Sequence, residues 1–569
     1  MKKMIKKIVS TKIIICLSLL LGTTSCSLEP VWYSEVTPET FFTSRETVLA
    51  FKGRPFTHFN WTLYNNANTW LLQEVTTDAF VAPTRDDQHW ADGGSFYRLN
   101  HHLWTADDGR MWTPWYGPNR LIAMTLEAQE ILSTLDYEAL GLTLTERASH
   151  LMQLQVLRAW AYLTLLDSHG GVPIFTSTAQ RDVRRSTDRE TFEHTEQLLL
   201  EAIPYLPRKT ELGAREVGNI NQAAAAALLA RLYFNAISYI GEDRFADAAR
   251  VSRRILDGAY GTYALGATWY CVHSFNNANS PEMIWNRPSE AGRWEFRWHV
   301  NNWYPVNFRF FFDIAGAPGM ADGWNGWCLT PSRDLEGNLW PHRLGNPFET
   351  FHDLDVRKRQ YRYLGDGRHE GMFIVGELTN PRTGDPVMGA QGMTGQPLTM
   401  VDFIGRPYPY PNGPIRSTLR DAQENQGIRL VKTPIPNIAD VNLLWRAGAP
   451  VIRLAEIYFI LAESEMRAGN LGRAAELINA VRARNFEGAD PDPVTAANLD
   501  SYRMLDEWLI EFLGEGRRRT DLIRWDKFVT RPWWDFEPHN DRRRHRFPIP
   551  NQAISAAGGP EFLPQNPGY

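Results

Sequence analysis

Two short stretches of the chain combine tryptophan with polar side chains and glycine. The first is Thr84–Gly94, TRDDQHWADGG, in which Trp90 is the one aromatic ring other than histidine. The second is Asp322–Cys328, DGWNGWC, in which Trp324 and Trp327 are three residues apart. Neither stretch has the apolar period of a helix or strand, and glycine interrupts both. We therefore predict two loops that present indole rings.

Indole rings beside polar side chains are suited to binding a sugar. A sugar ring packs a flat C–H face on an aromatic ring, while carboxylates, amides and guanidinium groups bind its hydroxyls. The predicted ligand contacts of the first loop are Trp90, Arg85, Asp87 and Gln88. Those of the second loop are Trp324, Asn325 and Trp327. The alternative for each loop is that its tryptophans pack into the core.

A third, weaker candidate is the proline-rich stretch Arg406–Pro411, RPYPYP. Its prolines favour an extended backbone, which would present Tyr408 and Tyr410 as further aromatic contacts.

Tryptophan is concentrated in two windows of the chain. Of 21 tryptophans, six lie between Trp61 and Trp115, and eight lie between Trp269 and Trp340. Neither window reads as a clean helix, and the content of apolar and aromatic residues is too high for disorder. We therefore predict short strands and long ordered loops over residues 60–114 and 258–449, and long ordered loops are usually functional.

Helical periodicity occupies two blocks, residues 115–257 and 452–525. Similar small-residue and tyrosine patterns recur in both, which indicates tetratricopeptide-like helical pairs or, alternatively, generic antiparallel helix packing. Thr187 and Glu190 are spaced to form a capping box. The predicted helices are Glu146–Leu166, Thr187–Tyr205, Asn221–Tyr239, Phe245–Leu256, Leu454–Ala468 and Leu471–Arg484.

The first residues have the layout of a secretory signal. Five lysines precede the short apolar run Ile13–Leu21, and small residues lead to Cys26. The run is too short to span a bilayer, which takes about 20 apolar residues. A cysteine directly after the small residues resembles a bacterial lipoprotein signal. We therefore predict that Cys26 is acylated and anchors the chain to a membrane.

Composition narrows the function classes. The formal net charge of −5 becomes −10 once the five signal lysines are removed, which argues against nucleic-acid binding. The sequence contains no zinc-protease HExxH, no GxSxG elbow and no P-loop.

Cys271 and Cys328 remain in the mature chain, and whether they pair is open. Metal binding is also open, because the Asp residues of His352–Asp355 lack the spacing of a calcium loop.

Several motifs, in order along the chain, resemble those of the SusD/RagB family of outer-membrane nutrient-binding lipoproteins. The helix-and-turn motif and the late signature Glu511–Trp525 are the most recognisable. The matching segments are Val36–Phe42, Leu157–Tyr162 with His169–Pro173, Arg453–Glu456 with Ala462–Glu463, Ile478–Arg484, Glu511–Trp525, Phe547–Pro550 and Gln565–Tyr569.

This resemblance implies a mainly α fold, with a tetratricopeptide-like helical-pair scaffold and an irregular loop-rich lobe containing short strands. The implied organisation is a signal peptide over residues 1–25, an N-terminal part with helical pairs over 26–257, and a C-terminal part with the ligand lobe over 258–569. Most matching residues belong to the scaffold, and Arg517, Asp521 and Arg524 are expected to make buried contacts between helices.

The resemblance further implies a lipid-anchored protein of the outer membrane, facing the cell surface. It implies capture of an oligosaccharide or polysaccharide, without catalysis or a cofactor, and delivery to a SusC-type TonB-dependent transporter. Peptide capture is an alternative, since relatives in this family can deliver peptides. A surface glycoside hydrolase is the less favoured one, because it needs two carboxylates about 5–10 Å apart, which sequence alone does not show.

Overall fold

The structure is a computed structural model. It describes residues 37–64, 69–86, 89–181, 184–209, 218–290, 303–317, 322–405, 419–444 and 446–569. The described residues 37–48 belong to one unit, and the described residues from Leu49 to Tyr569 belong to a second. The predicted signal peptide, Cys26, Asp87, Gln88, Tyr408 and Tyr410 lie outside the described residues.

Helices dominate the described residues, in agreement with the predicted fold class. They are α1 Pro38–Phe41, α2 Arg45–Tyr64, α3 Thr69–Glu74, α4 Ser95–Asn100, α5 Trp112–Thr134, α6 Leu144–His169, α7 Asp188–Ala202, α8 Gln222–Phe234, α9 Ala236–Tyr239, α10 Phe245–Leu256, α11 Phe308–Phe311, α12 Leu454–Arg467, α13 Leu471–Arg482, α14 Ser501–Phe512, α15 Arg518–Arg524 and α16 Asn551–Ala556. None of these described helices is long and apolar enough to cross a bilayer.

The strands are short and pair two by two. They are β1 Phe80–Val81, β2 Met283–Arg287, β3 Cys328–Leu329, β4 Arg362–Gly365, β5 Arg368–Glu370, β6 Phe373–Ile374, β7 Gly376–Glu377, β8 Thr399–Met400, β9 Arg429–Leu430 and β10 Ala449–Arg453. The antiparallel pairs are β1–β3, β2–β10, β4–β5, β6–β9 and β7–β8. Most strands lie in the predicted loop-rich window 258–449. Strand β1 lies in the window 60–114 and connects the two windows, because its Phe80 pairs with Leu329 of β3.

Local signals set the helix ends. The predicted capping box at Thr187 and Glu190 is present at the start of α7, and Thr143 with Glu146 forms another at the start of α6. Helix α6 ends at His169, and Gly170 follows with a φ of 81°. A Cβ atom on Gly171 would lie 2.2 Å from the carbonyl oxygen of Ser186, so only glycine fits there.

The predicted helical pairs are present. Helix α8 packs against α10, α12 packs against α13, and α10 also contacts α12. The run Ala223–Ala227 of α8 is fully buried, and its small side chains allow neighbouring helices to approach closely. The helix predicted over Asn221–Tyr239 is divided into α8 and α9 at Asn235, whose φ and ψ of −100° and 8° are not helical.

Two hydrophobic cores lie within the larger unit. The first is built by the helical pairs, and the second is rich in aromatic rings and lies among the short strands. Helix α14 contributes to both, with Trp508 in the first core and Leu509 in the second. The window 60–114, predicted to be loops and short strands, also contains α3 and α4. Helix α3 forms because its apolar side chains are buried in the second core.

Buried ion pairs connect the helices, as expected for the late signature. The guanidinium of Arg524 bonds to Glu463 of α12 at 2.8 Å, and that of Arg517 bonds to Glu456 of α12 at 3.2 Å. Asp521 instead pairs with Arg517 at the start of its own helix, at 2.9 Å. Within the His352–Asp355 stretch, the Asp355 carboxylate is paired with Arg357 at 2.7 Å. Among the residues that the structure describes, no group of three or more His, Cys, Asp or Glu is placed to hold a metal ion. Cys271 and Cys328 are free thiols.

One buried carboxylate gives a pH-dependent prediction. Glu74 accepts hydrogen bonds from the backbone amides of Gly516 and Arg517 at 2.7 and 3.2 Å, yet burial raises its pKa to about 8. Because the folded-state pKa exceeds that of the unfolded chain, Glu74 lowers the free energy of unfolding as pH rises from about 4.5 to about 8. Glu74→Gln keeps the acceptor oxygen and removes this titration.

We therefore expect the stability of Glu74→Gln, relative to the wild type, to increase between pH 5 and pH 8. The change should be on the order of 4 kcal/mol, to be measured by urea unfolding at both pH values. The exposed Glu336 supplies a control, since Glu336→Gln should shift stability little at either pH. An equal effect of Glu74→Gln at pH 5 and pH 8 would contradict the assignment.

Candidate ligand-binding site

The structure brings the two tryptophan-containing loops together. The indole Nε1 of Trp90 donates a hydrogen bond to the carbonyl oxygen of Trp324 at 2.5 Å, across 234 residues of sequence. The guanidinium of Arg85 donates to the carbonyl oxygen of Gly326 at 3.2 Å. We call Trp90 and Trp324 the tryptophan platform. Two stretches that the sequence identified separately therefore form one surface.

The two rings of the platform differ in exposure. Trp324 is 40% exposed, and none of the described residues stacks an aromatic ring or a cation on its indole. Trp90 is half-buried and packs against Phe96 and Trp327, with ring centroids 5.4 and 5.9 Å away. Trp324 thus offers a free face, whereas Trp90 is held in a fixed orientation.

Trp327 and Asn325 support the platform from below. Trp327 is fully buried, 4.9 Å from Trp70 and 6.2 Å from Trp303 between ring centroids, so Trp324 and Trp327 do not form two walls of one cleft. Asn325 is also fully buried, and its Oδ1 accepts a hydrogen bond from Arg429 at 2.7 Å. Both side chains are placed to fix the loop and not to contact a ligand from solvent.

Arg85 is a structural cation in this structure. It is 2% exposed and donates to the carbonyl oxygens of Gln423 and Gln426 at 2.7 and 3.0 Å. The network therefore joins both platform loops to residues 423–429. Burial lowers the pKa of Arg429 to about 9, with a further contribution from the neighbouring charge of Arg85, and burial also lowers the pKa of Arg85. Backbone carbonyls supply much of the polar environment that these guanidinium groups require.

The backbone of both loops is strained. Trp90, Asp92 and Asn325 have φ values of 64°, 42° and 50°, a region that residues other than glycine rarely adopt. Each such residue costs about 1–3 kcal/mol and persists only where its surroundings hold it. Here the Arg85 network and the Trp90–Trp324 hydrogen bond hold the loops, which presents the platform in one preformed geometry.

Polar side chains from distant segments lie beside the platform. Asp322 pairs with Arg309, and the Nδ2 of Asn307 donates to the carbonyl oxygen of Met388 at 2.6 Å. Next to Trp90, the side-chain Nε2 of Gln391 lies 3.4 Å from the Nδ1 of His89. Burial, helped by Arg85, lowers the pKa of His89, so its imidazole is neutral at pH 7 and can both donate and accept.

Sequence reasoning missed Arg309, Asn307 and Gln391. They come from segments 303–317 and 376–405, which approach the platform only through tertiary contacts such as the bond from the Gly323 amide to the Val306 carbonyl at 3.2 Å. The local signal for this region was the aromatic run around residue 310, in which Phe310 is 44% exposed.

The comparisons with family models agree with the motifs read from the sequence. A model described as the SusD family matches residues 420–569. A second, described as starch-binding associating with outer membrane, matches residues 58–234. Together they span more than half of the chain.

One curated relative and several solved structures are similar to this chain. The starch-binding protein SusD of Bacteroides thetaiotaomicron is 25% identical over 449 residues, which cover 75% of this chain and 74% of that protein. The fold is similar to that of surface glycan-binding protein A from Bacteroides fluxus, with a TM-score of 0.64, 18% identity and coverage of 92% of this chain and 100% of that one. Surface glycan-binding protein A from Bacteroides thetaiotaomicron, in complex with laminarihexaose, gives a TM-score of 0.61 at 16% identity, with coverage of 92% of this chain and 100% of that one. This chain belongs to the SusD/RagB family.

Proposed function

We propose that this protein captures a glycan at the outer-membrane surface through the tryptophan platform. The observation that carries the proposal is the free face of the Trp324 indole, held by the Trp90 hydrogen bond beside polar side chains. An exposed indole packs against the C–H face of a sugar ring, and the rim of amides and charged groups bonds to its hydroxyls. The names of a starch-binding relative and of a structural neighbour bound to laminarihexaose support a glycan ligand.

Two carboxylates beside the platform, Asp322 and Asp92, are engaged in ion pairs, which favours binding over catalysis. Glycoside hydrolysis needs one carboxyl group that stays protonated and one that is free to attack or to activate water. Asp322 is paired with Arg309, and Asp92 is paired with Arg110. Against the effect of burial, the Arg110 guanidinium holds the pKa of Asp92 below its ordinary value, which makes Asp92 a poor general acid.

The place of this capture is the outer membrane, with Cys26 as the lipid anchor and a SusC-type TonB-dependent transporter as the partner. The lipoprotein-like signal and the description of the matching family model support the location. In this proposal the bound glycan passes to the transporter. Co-purification of a TonB-dependent barrel with the lipidated protein is the expected result.

Affinity electrophoresis through gels containing starch, laminarin or another polysaccharide tests the proposal. We expect at least one polysaccharide to retard the purified protein without release of reducing sugar, and Trp324→Ala to migrate freely. Calorimetric titration with peptides is run in parallel. Binding of peptides with no retardation by any polysaccharide would assign the platform to peptide capture, and sugar release would establish an enzyme.

A further inference from the structure

A second concave site lies between helix α2 and strand β2, and none of the platform residues lines it. Its volume is about 290 Å³, well above the roughly 10–15 Å³ that one water needs and close to the lower end of small-molecule sites, about 300 Å³. We call it the α2–β2 cavity. It is lined by Leu49, Lys52, Gly53, Phe56, Phe59, Asn60, Gly218, Asn219, Trp285, Asn286, Arg287 and Pro288.

The charges around the α2–β2 cavity are one-sided. Lys52 and Arg287 line it, with no carboxylate among the described lining residues, and since Arg287 has an interaction partner of its own, Lys52 is the cation left for a ligand. Lys52 is 8% exposed, and its ammonium donates to the amide oxygens of Gln153 and Asn219 at 2.8 and 3.5 Å. It also lies 5.5 Å from the centroid of the Phe56 ring. A buried charge is costly unless it is paired, so this site favours an anion.

Burial lowers the pKa of Lys52 to about 8. Its amine is therefore still mostly protonated at neutral pH, and an arriving anion would meet a positive charge.

A buried amide on β2 has unused hydrogen-bonding capacity. Asn286 is 5% exposed, and neither its Nδ2 nor its Oδ1 has a hydrogen-bond partner among the described residues. Most buried polar side chains do have such a partner. An amide provides both donors and an acceptor, which is what a hydroxyl group requires. Asn60 and Asn219 add two more amides to the same lining.

The remaining walls are aromatic. Phe59 stacks on Trp285 with ring centroids 5.0 Å apart and planes inclined by 5°, and both rings are buried. Phe56, half-buried, adds a third ring to the lining. Because Phe59 and Trp285 cover each other, the half-buried Phe56 ring is the aromatic surface that the α2–β2 cavity offers, beside the Lys52 ammonium and the amides, within a volume suited to one small ring.

We propose that the α2–β2 cavity binds a single acidic sugar of the hexuronate class. The carboxylate bonds to Lys52, the hydroxyls bond to the asparagine amides, and the C–H face lies against the Phe56 ring. This site is separate from the tryptophan platform and does not depend on glycan capture there.

Isothermal titration of the purified full-length protein with D-glucuronate and D-galacturonate, and with D-glucose as the neutral comparison, tests this assignment. We expect saturable binding of at least one hexuronate, weakened by added salt, and none of glucose. Lys52→Met removes the charge and should weaken hexuronate binding about tenfold or more. The matched control is Lys527→Met, which removes another mostly buried lysine, 4.2 Å from the Tyr502 ring, and should leave binding unchanged.

A second variant tests the assignment independently, in case Lys52→Met fails to fold. A Cβ atom on Gly53 would meet no atom within 4 Å, so the side chain of Gly53→Leu enters open space in the cavity. Replacing a glycine inside a helix also favours the fold. We expect this variant to fold and to lose hexuronate binding.

Trp324→Ala should retain hexuronate binding, which separates this inference from the proposed glycan capture. The assignment is overturned if no hexuronate binds, if glucose binds equally well, or if Gly53→Leu binds hexuronate like the wild type.

Discussion

The double variant Trp90→Ala, Trp324→Ala loses measurable binding to the glycan that the wild type captures. Buried aromatic anchors at binding sites contribute about 2 kcal/mol or more each, which is about 30-fold in Kd per ring. Trp324→Ala alone should produce the larger share of this loss, because its ring has the free face. Since Trp324 is partly exposed and its ring stacks on none of the described residues, its removal should leave the free energy of unfolding nearly unchanged.

Calorimetric titration of the wild type, both single variants and the double variant measures this effect. Trp61→Ala is the matched control, because Trp61 is half-buried on α2 and stacks on His58 with ring centroids 5.3 Å apart. It should reduce glycan affinity little. Equal affinities of the wild type and of a folded Trp324→Ala protein would show that the tryptophan platform does not bind the glycan.

Arg453→Met destabilises the fold by about 3–5 kcal/mol. The guanidinium of Arg453 is buried and bonds to Glu511 at 2.6 Å, Glu515 at 2.8 Å and Glu282 at 3.3 Å. Removing it leaves buried carboxylates with less compensating charge, which is costlier than losing the pair itself. Burial opposes the ionisation of Glu511, but Arg453 and its neighbours hold the pKa of this carboxyl at about 2.

Urea unfolding at pH 7 measures the loss. Arg473→Met serves as the control, since Arg473 forms an exposed ion pair with Glu476 at 2.9 Å, and such pairs contribute about 0–1 kcal/mol. A comparable small effect for both variants would show that the Glu282–Arg453–Glu511–Glu515 network is not what holds β2, β10 and α14 together.

The helical scaffold was predictable because its signals are local. The capping box at Thr187, the stop after His169 and the small-residue pattern of α8 each depend on residues within a few positions of one another. The observed bounds of α7, α12 and α13 therefore lie within a few residues of the predicted ones. The family motifs that identified the chain come largely from this scaffold.

The candidate site was only partly predictable because its contacts are long-range. Arg85 and Trp327 have the residue types of sugar contacts, but their burial depends on Trp70, Gly326 and residues 423–426, which no local pattern brings near. Asn325 was selected for its amide, whereas its main partner is Arg429, 104 residues later. Trp90 and Trp324 stay the predicted ligand contacts, with Asp87, Gln88, Tyr408 and Tyr410 beyond the described part of the chain.

A crystal structure of the protein with an oligosaccharide of the polysaccharide it binds tests the central claim most directly. We expect a sugar ring stacked on the Trp324 indole, with its hydroxyls bonded to side chains among Arg309, Asp322, His89 and Gln391. An oligosaccharide bound at another surface, with the tryptophan platform empty, would contradict it.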